Sequence, residues 1–226
     1  MKIGILQCGH FPTADGFPKQ TYGDLYARML AGHGFEFRTW SVVDMDHPAS
    51  IHDADGWLIS GSKHGAYEDL PFIPPLEDFL RRAYSADVPL VGICFGHQVL
   101  AKALGGHVEK FDGGWSVGRQ TYCLDGDEMA LNAWHQDQVT KPPADARTIG
   151  TSAFCEHAAL AYKGRAFSVQ PHPEFDAAEV QLLLHVRRAG LDPDMADAVQ
   201  ANLPKPLSND KLAARIAHFF KETVHV

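Results

Sequence analysis

Val88-Pro-Leu-Val-Gly-Ile-Cys94-Phe-Gly96-His-Gln98-Val-Leu-Ala-Lys-Ala-Leu-Gly105-Gly106 is the stretch whose reading decides the fold. An apolar run of strand length ends at Gly92-x-Cys94-x-Gly96. Phe95, Val99, Leu100, Ala103 and Leu104 then recur at helical spacing until Gly105-Gly106 stops the pattern. A strand, a sharp turn and a helix with a nucleophile at the apex have this form. Gly92 and Gly96 carry no Cβ where the chain folds back, so Cys94 can be held in a strained conformation that projects its sulfur outward. The sulfur then lies at a helix N-terminus, where free N–H groups and the helix dipole favour a thiolate. A buried structural thiol at a tight turn is the competing reading.

A base for such a sulfur stands in Ala166-Phe-Ser-Val-Gln170-Pro-His172-Pro-Glu174-Phe. The preceding Ala159-Leu-Ala-Tyr-Lys-Gly-Arg-Ala-Phe-Ser-Val predicts two short strands joined at Lys163-Gly164, with His172 just past the second. Pro171 and Pro173 favour extended geometry at Gln170 and His172. Residues two apart in an extended chain point the same way, so the Glu174 carboxylate reaches toward the His172 ring. Thiolate, imidazole base and a carboxylate that fixes the tautomer are the parts of a catalytic relay.

With 13 histidines in the chain, chance neighbours are expected. Cys8-Gly-His10 and Cys155-Glu-His157 offer too few ligands for zinc, so no metal is expected. His135, in Trp134-His-Gln-Asp137, fits either a place near the site or a strand-end histidine bonded to Asp137. A rival nucleophile, Ser116 in Gly114-Trp-Ser116-Val-Gly118, lacks the right context. Phe111-Asp-Gly-Gly before it is no strand, and Arg119-Gln-Thr-Tyr-Cys-Leu after it reads as a strand rather than a helix. Ser116 is read instead as a loop residue that contacts a substrate through its backbone or hydroxyl.

Gly92-Ile-Cys94-Phe-Gly96-His-Gln98, followed much later by His172-Pro-Glu174, resembles the class I glutamine amidotransferase family, with Cys, His and Glu in the same chain order. The resemblance spans roughly residues 1 to 176. It is nearest to stand-alone members, including the glutaminase half of GMP synthase and the plant-type γ-glutamyl peptidases. A related branch of intracellular cysteine hydrolases has a histidine directly after the nucleophile, where this chain has Phe95. The resemblance implies an oxyanion loop in Asp55-Gly-Trp57-Leu-Ile-Ser60-Gly61-Ser62-Lys63-His64-Gly65, with Gly61 beside the substrate. The amides of Ser62 and Phe95 would face the charge that develops on the attacked carbonyl oxygen. The family's second glycine and proline are replaced here by Ser62 and Lys63. Gln98, again by resemblance, helps hold the glutamyl part of the substrate. No cofactor is implied.

Composition narrows the partners. A net charge of -8 over 226 residues argues against a nucleic-acid or anionic-membrane surface, and 45% hydrophobic content suffices for a full core. The apolar run after Met1-Lys is too short for a secretory leader, and no stretch reaches transmembrane length. Cys8, Cys94, Cys123 and Cys155 show no framework spacing and are expected to be reduced, in a cytoplasmic protein.

The remaining pattern predicts a single α/β domain over residues 1–226. Strands are expected at Lys2–Gln7, Phe35–Val43, Gly56–Ser60 and Val88–Ile93. Helices are expected after a Thr21/Asp24 cap, with Tyr22, Leu25, Tyr26, Met29 and Leu30 on one face, and at Pro75–Ser85, Glu179–Ala189 and Asn209–Glu222. Asp192-Pro-Asp-Met to Asn202 reads as a short helix near a partner or substrate. Such βαβ units predict a mostly parallel, doubly wound sheet with helices on both faces, its active groups at the carboxyl ends of the strands. Short strands between Gly106 and Gln170 predict a small antiparallel extension. Three functions fit: an amidotransferase or glutaminase, whose released ammonia would need a separate synthetase or acceptor subunit; a γ-glutamyl peptidase; and a catalytically silent binding protein.

Overall fold

Apolar residues at period two or in short continuous runs build the strands, and their order along the chain follows the expected alternation. The elements are β1 (Lys2–Leu6), α1 (Tyr22–Met29), β2 (Glu36–Trp40), β3 (Gly56–Ile59), α2 (Ile73–Ser85), β4 (Leu90–Ile93) and α3 (Phe95–Ala103). Then follow β5 (His107–Lys110), β6 (Ser116–Leu124), β7 (Asp127–His135), β8 (Asp137–Lys141), β9 (Ala146–Ser152), β10 (Ala159–Tyr162) and β11 (Ala166–Val169). The chain continues through α4 (Ala177–Arg187), α5 (Pro193–Asn202) and α6 (Asn209–Thr223). The computed structural model describes residues 1–163 and 166–223, so Gly164 of the expected turn lies outside them.

Nine strands form one sheet in the order β2-β1-β3-β4-β11-β10-β9-β6-β7. The first five run parallel, and β10, β9, β6 and β7 extend the sheet antiparallel. A separate antiparallel pair joins β5 to β8. The order matters chemically because β4 lies between β3 and β11, with Ile59 opposite Gly92 and Val169 opposite Ile93. The elbow, the Ser60-Gly61-Ser62 loop and the His172 segment therefore leave the same edge of three adjacent parallel strands. This is where an open α/β sheet places its ligands.

Alternation along the central strands feeds two cores on opposite faces. Leu58, Val91, Ile93 and Val169 pack with residues of α1, α4 and α6. Trp57, Ile59 and Leu90 pack with α2 and α3. β6 and β7 form a hairpin paired residue for residue from Ser116–His135 to Leu124–Asp127, turned at Asp125-Gly126, both at positive φ as a tight primed turn requires.

Several expected boundaries shift, among them the elbow strand, which begins at Leu90 rather than Val88, and three of the shifts have a clear local cause. The second strand ends at Trp40, because Val42–Asp44 turn into a short 3-10 segment closed by Met45 at φ 65°. The helix expected from Pro75 starts two residues earlier, at Ile73, since proline is tolerated in the first turn, where its missing N–H has no helical role. α4 starts at Ala177 rather than Glu179, because Asp176 caps it and Glu179 returns the bond to the cap's amide. That Glu179 is buried also departs from a simple apolar face: its carboxylate accepts from Arg28 and Gln20, each at 2.7 Å. α1 carries the expected Thr21–Asp24 capping box. The segment after Asp192 is helical and packs Ala196 and Val199 inward against β6.

Candidate active site

Cys94 sits at φ 55°, ψ -106°, a conformation L-residues rarely adopt, between β4 and α3. Its amide donates to the Val169 carbonyl at 2.9 Å and its carbonyl accepts from Gln98 at 3.1 Å, so the strained turn is held from both sides. The turn can be this tight because Gly96 lies against β3. A Cβ on Gly96 would fall 2.2 Å from the Ile59 carbonyl oxygen. Phe95 is the first residue of α3, so its amide has no acceptor inside the helix.

His172 leaves β11 and bridges to β7, its amide donating to the Asn132 carbonyl at 2.8 Å. Its ring stacks on Phe175, 4.0 Å between centroids and 6° from parallel, and its Nδ1 donates to Glu174 Oε1 at 2.7 Å. Both side chains are buried. Burial works against the imidazolium, but the negative charges of Cys94 and Glu174 and their hydrogen bonds outweigh it and raise the His172 pKa to about 10. A raised pKa adds stability that is complete below the ordinary histidine value of 6.5 and is lost as pH climbs through about 10. Urea unfolding is therefore expected to give a midpoint that falls between pH 7 and 10 in the native protein, with a shallower fall in His172→Gln. Equal slopes for the two proteins would refute the ion-pair assignment.

The loop after β3 is pinned from within. The buried Ser60 hydroxyl donates to the Gly61 carbonyl at 2.8 Å and accepts from the Cys8 amide at 2.8 Å. Ser62 then lines a cleft of about 420 Å³ together with Cys94, Phe95, Gln98 and His172. Gly61 is buried behind that wall and is not among the lining residues, because its amide turns away to donate to the Tyr26 hydroxyl at 3.1 Å. Gln98 reaches the cleft with its amide nitrogen anchored, donating to the Asp137 carbonyl at 2.9 Å and to Gln170 Oε1 at 3.0 Å.

Ser116, expected in a loop, stands in a strand instead. It is the first residue of β6, opposite His135, buried and outside the cleft lining, whereas Trp115 just before it is exposed and lines the cleft. Successive side chains on entering a strand point to opposite sides, so only one of the two can face the cleft. The glycine that completes the Gly114–Gly118 motif has a structural cause: Gly118 has φ 68° and packs under Val199 of α5. His135 meets both of its descriptions. It lines the cleft, and its Nδ1 donates to the Asp137 carbonyl at 3.2 Å. Burial pushes its pKa down to about 3, so the ring is neutral.

Other cleft residues carry no linear signal. Tyr22, Trp134, Arg187 and Asp137, whose carboxylate accepts from the Tyr67 hydroxyl at 3.2 Å, meet there from four elements, α1, β7, α4 and β8. Of the region around the 192–202 helix, Gly190 and Leu191 in the link before it line the cleft. A larger depression of about 960 Å³, bordered by Arg147, Lys163 and Phe167, includes no cysteine or histidine among the described residues. Among the described residues, no three His, Cys, Asp or Glu side chains gather as metal ligands, and no helix is long and apolar enough to cross a membrane.

A cysteine on a strained strand-to-helix turn, with a His–Glu pair at the ends of adjacent parallel strands, defines a nucleophile-elbow α/β protein. The profile of the glutamine amidotransferase class-I family matches residues 22–182, and the chain belongs to that family. It is 30% identical over 179 residues to gamma-glutamyl peptidase 4 of Arabidopsis thaliana, covering 71% of each chain. It is 33% identical over 172 residues to the glutamine-hydrolyzing GMP synthase of Thermus thermophilus, covering 68% of this chain and 32% of that one. The fold superimposes on a glutamine amido transferase from Methylobacillus Flagellatus with TM-score 0.77 at 22% identity, over 98% of this chain and 94% of that one.

Proposed function

We propose that this protein hydrolyses γ-glutamyl amide bonds through a thioester on Cys94. The observation that carries the proposal is the 2.7 Å bond from the buried Glu174 to His172, which lines the same cleft as Cys94. Cys94 Sγ attacks the γ-carbonyl, and the amides of Phe95 and Ser62 receive the developing oxyanion. His172, held in one tautomer by Glu174, protonates the departing amine as the C–N bond breaks. Water then attacks the thioester, giving its proton to His172, and glutamate leaves with Cys94 restored. Gln98 faces the glutamyl portion. The complete Cys94, His172 and Glu174 set weighs against a silent binding protein.

Glutamine is the simplest such substrate, with ammonia as the leaving amine for a separate synthetase or acceptor subunit. γ-Glutamyl conjugates are favoured over it by the cleft's rim. Trp115 and Tyr67 line the cleft while 41% and 44% exposed, an apolar surface that a leaving ammonia cannot use and a leaving amino acid can. The match to a γ-glutamyl peptidase along most of both chains supports the same choice.

Incubation with glutamine and a panel of γ-glutamyl dipeptides, reading ammonia and released amino acids, tests this. Dipeptides are expected to show kcat/KM roughly tenfold or more above glutamine, a difference of about 1.4 kcal/mol in transition-state binding. Glu174→Gln is expected to retain measurable turnover, with a loss roughly a hundred times smaller than removal of the nucleophile causes. No turnover of any member, together with no labelling of Cys94 by an electrophilic glutamine analogue, would sink the proposal.

A further inference from the structure

We infer that Tyr26 is a positioning residue that fastens the His172–Glu174 pair to the loop after β3, so that base and oxyanion loop keep one relative geometry. The inference rests on the reading of Cys94, His172 and Glu174 as the catalytic set. Glu174 Oε1 accepts from His172 Nδ1 at 2.7 Å and from the Tyr26 hydroxyl at 3.0 Å, while Glu174 Oε2 is buried with no hydrogen-bond partner among the described residues. A carboxylate held by the imidazole alone would be free to swing about its terminal bond. The hydroxyl supplies a second point of attachment from another element. That hydroxyl in turn accepts the Gly61 amide at 3.1 Å, one residue before Ser62. One oxygen atom therefore joins the two halves of the site.

The attachment is rigid because α1 is rigid. Tyr26 is fully buried, and its ring packs parallel to Tyr22, 6.1 Å between centroids. Tyr22 lies over Phe175, which stacks on His172. Thr21 and Asp24 cap the start of the helix, and near its end Arg28 binds the buried Glu179 at 2.7 Å. The same helix thus grips the 172–179 segment at Glu174 and at Glu179. Burial, then the Glu174 charge, holds the Tyr26 hydroxyl pKa well above its ordinary value, so the hydroxyl remains a donor through neutral pH.

The test is a double-mutant cycle over native protein, Tyr26→Phe, Glu174→Ala and the pair, read as kcat and KM on the preferred γ-glutamyl substrate. Tyr26→Phe is expected to lower kcat roughly 10- to 100-fold, the usual range for partners one step from the reacting atoms, with KM within about twofold. In the Glu174→Ala background the same change is expected to alter kcat by less than about twofold, because its target is gone. An equal factor in both backgrounds, an effect confined to KM, or an unchanged kcat overturns the inference. Should Tyr26→Phe fail to fold, 3,5-difluorotyrosine at position 26 keeps the ring and strengthens the donor. An unchanged kcat there overturns the inference equally. Iodoacetamide labelling of Cys94 in native protein at neutral pH separates the two levels: an unreactive Cys94 removes the catalytic reading, and the role of Tyr26 falls with it.

Discussion

Cys94→Ala is expected to fold as the native chain does and to lose γ-glutamyl hydrolysis by roughly a millionfold, the size of loss seen when a relay nucleophile is removed. What would remain is water attack assisted by the amides of Phe95 and Ser62 and by substrate binding. The fold is insensitive because the strained turn at φ 55° is held by backbone bonds to Val169 and Gln98, which alanine also makes. Denaturant unfolding at pH 7 is expected to differ by only about 1 kcal/mol. A second signature distinguishes this from generic damage. Losing the sulfur's charge removes one of the two anions that raise the His172 pKa, so the fall in stability between pH 7 and 10 should shrink. A variant retaining more than about one per cent of native turnover would exclude Cys94 as the nucleophile.

Gly96→Ala is expected to be the most damaging single methyl in the protein's elbow. The added Cβ would lie 2.2 Å from the Ile59 carbonyl oxygen and 2.8 Å from its carbon. Both are backbone atoms of β3, so no rotamer change relieves the contact and α3 must lift from the sheet. Overpacking of a rigid core costs about 3 kcal/mol at the upper end of its usual range. Lifting α3 also displaces Phe95 and Gln98, so activity goes even where the chain still folds. Gly105→Ala at the far end of α3 is the control. It has φ 95° with nothing within 4 Å of the new atom, so it carries backbone strain alone, about 1 kcal/mol. Urea midpoints decide: near-equal values for the two variants would mean that the elbow is not tightly packed against β3.

The parts legible in the sequence were those whose cause is local. Strand, glycines and helix around Cys94 declare themselves within twenty residues, and His172 and Glu174 lie two residues apart in a proline-stiffened segment. Their bond forms at 2.7 Å as expected, but across a tight turn closed by the Phe175 amide on the His172 carbonyl at 3.3 Å rather than along an extended segment. Ser116 shows the limit of such reasoning, because the motif around it is real as a pattern while its glycine serves packing under Val199. Tyr22 and Tyr26 read as one apolar face of a helix, and they are buried as that reading implies. The fact that the Tyr26 hydroxyl ends on Glu174, 148 residues away, has no trace in the linear chain.

By itself the sequence determined the local devices: the elbow, the cap of α1, the His-x-Glu pair and the alternation that makes a largely parallel sheet. Only the tertiary structure decided which of them meet. Insertion of β4 between β3 and β11 brings three loops to one edge, and the packing of α1 over them adds Tyr22 and Tyr26. The physical reason is that turn and cap preferences are fixed by neighbouring residues, whereas strand order and helix docking are settled by burying two apolar faces at once. That minimum belongs to the whole chain.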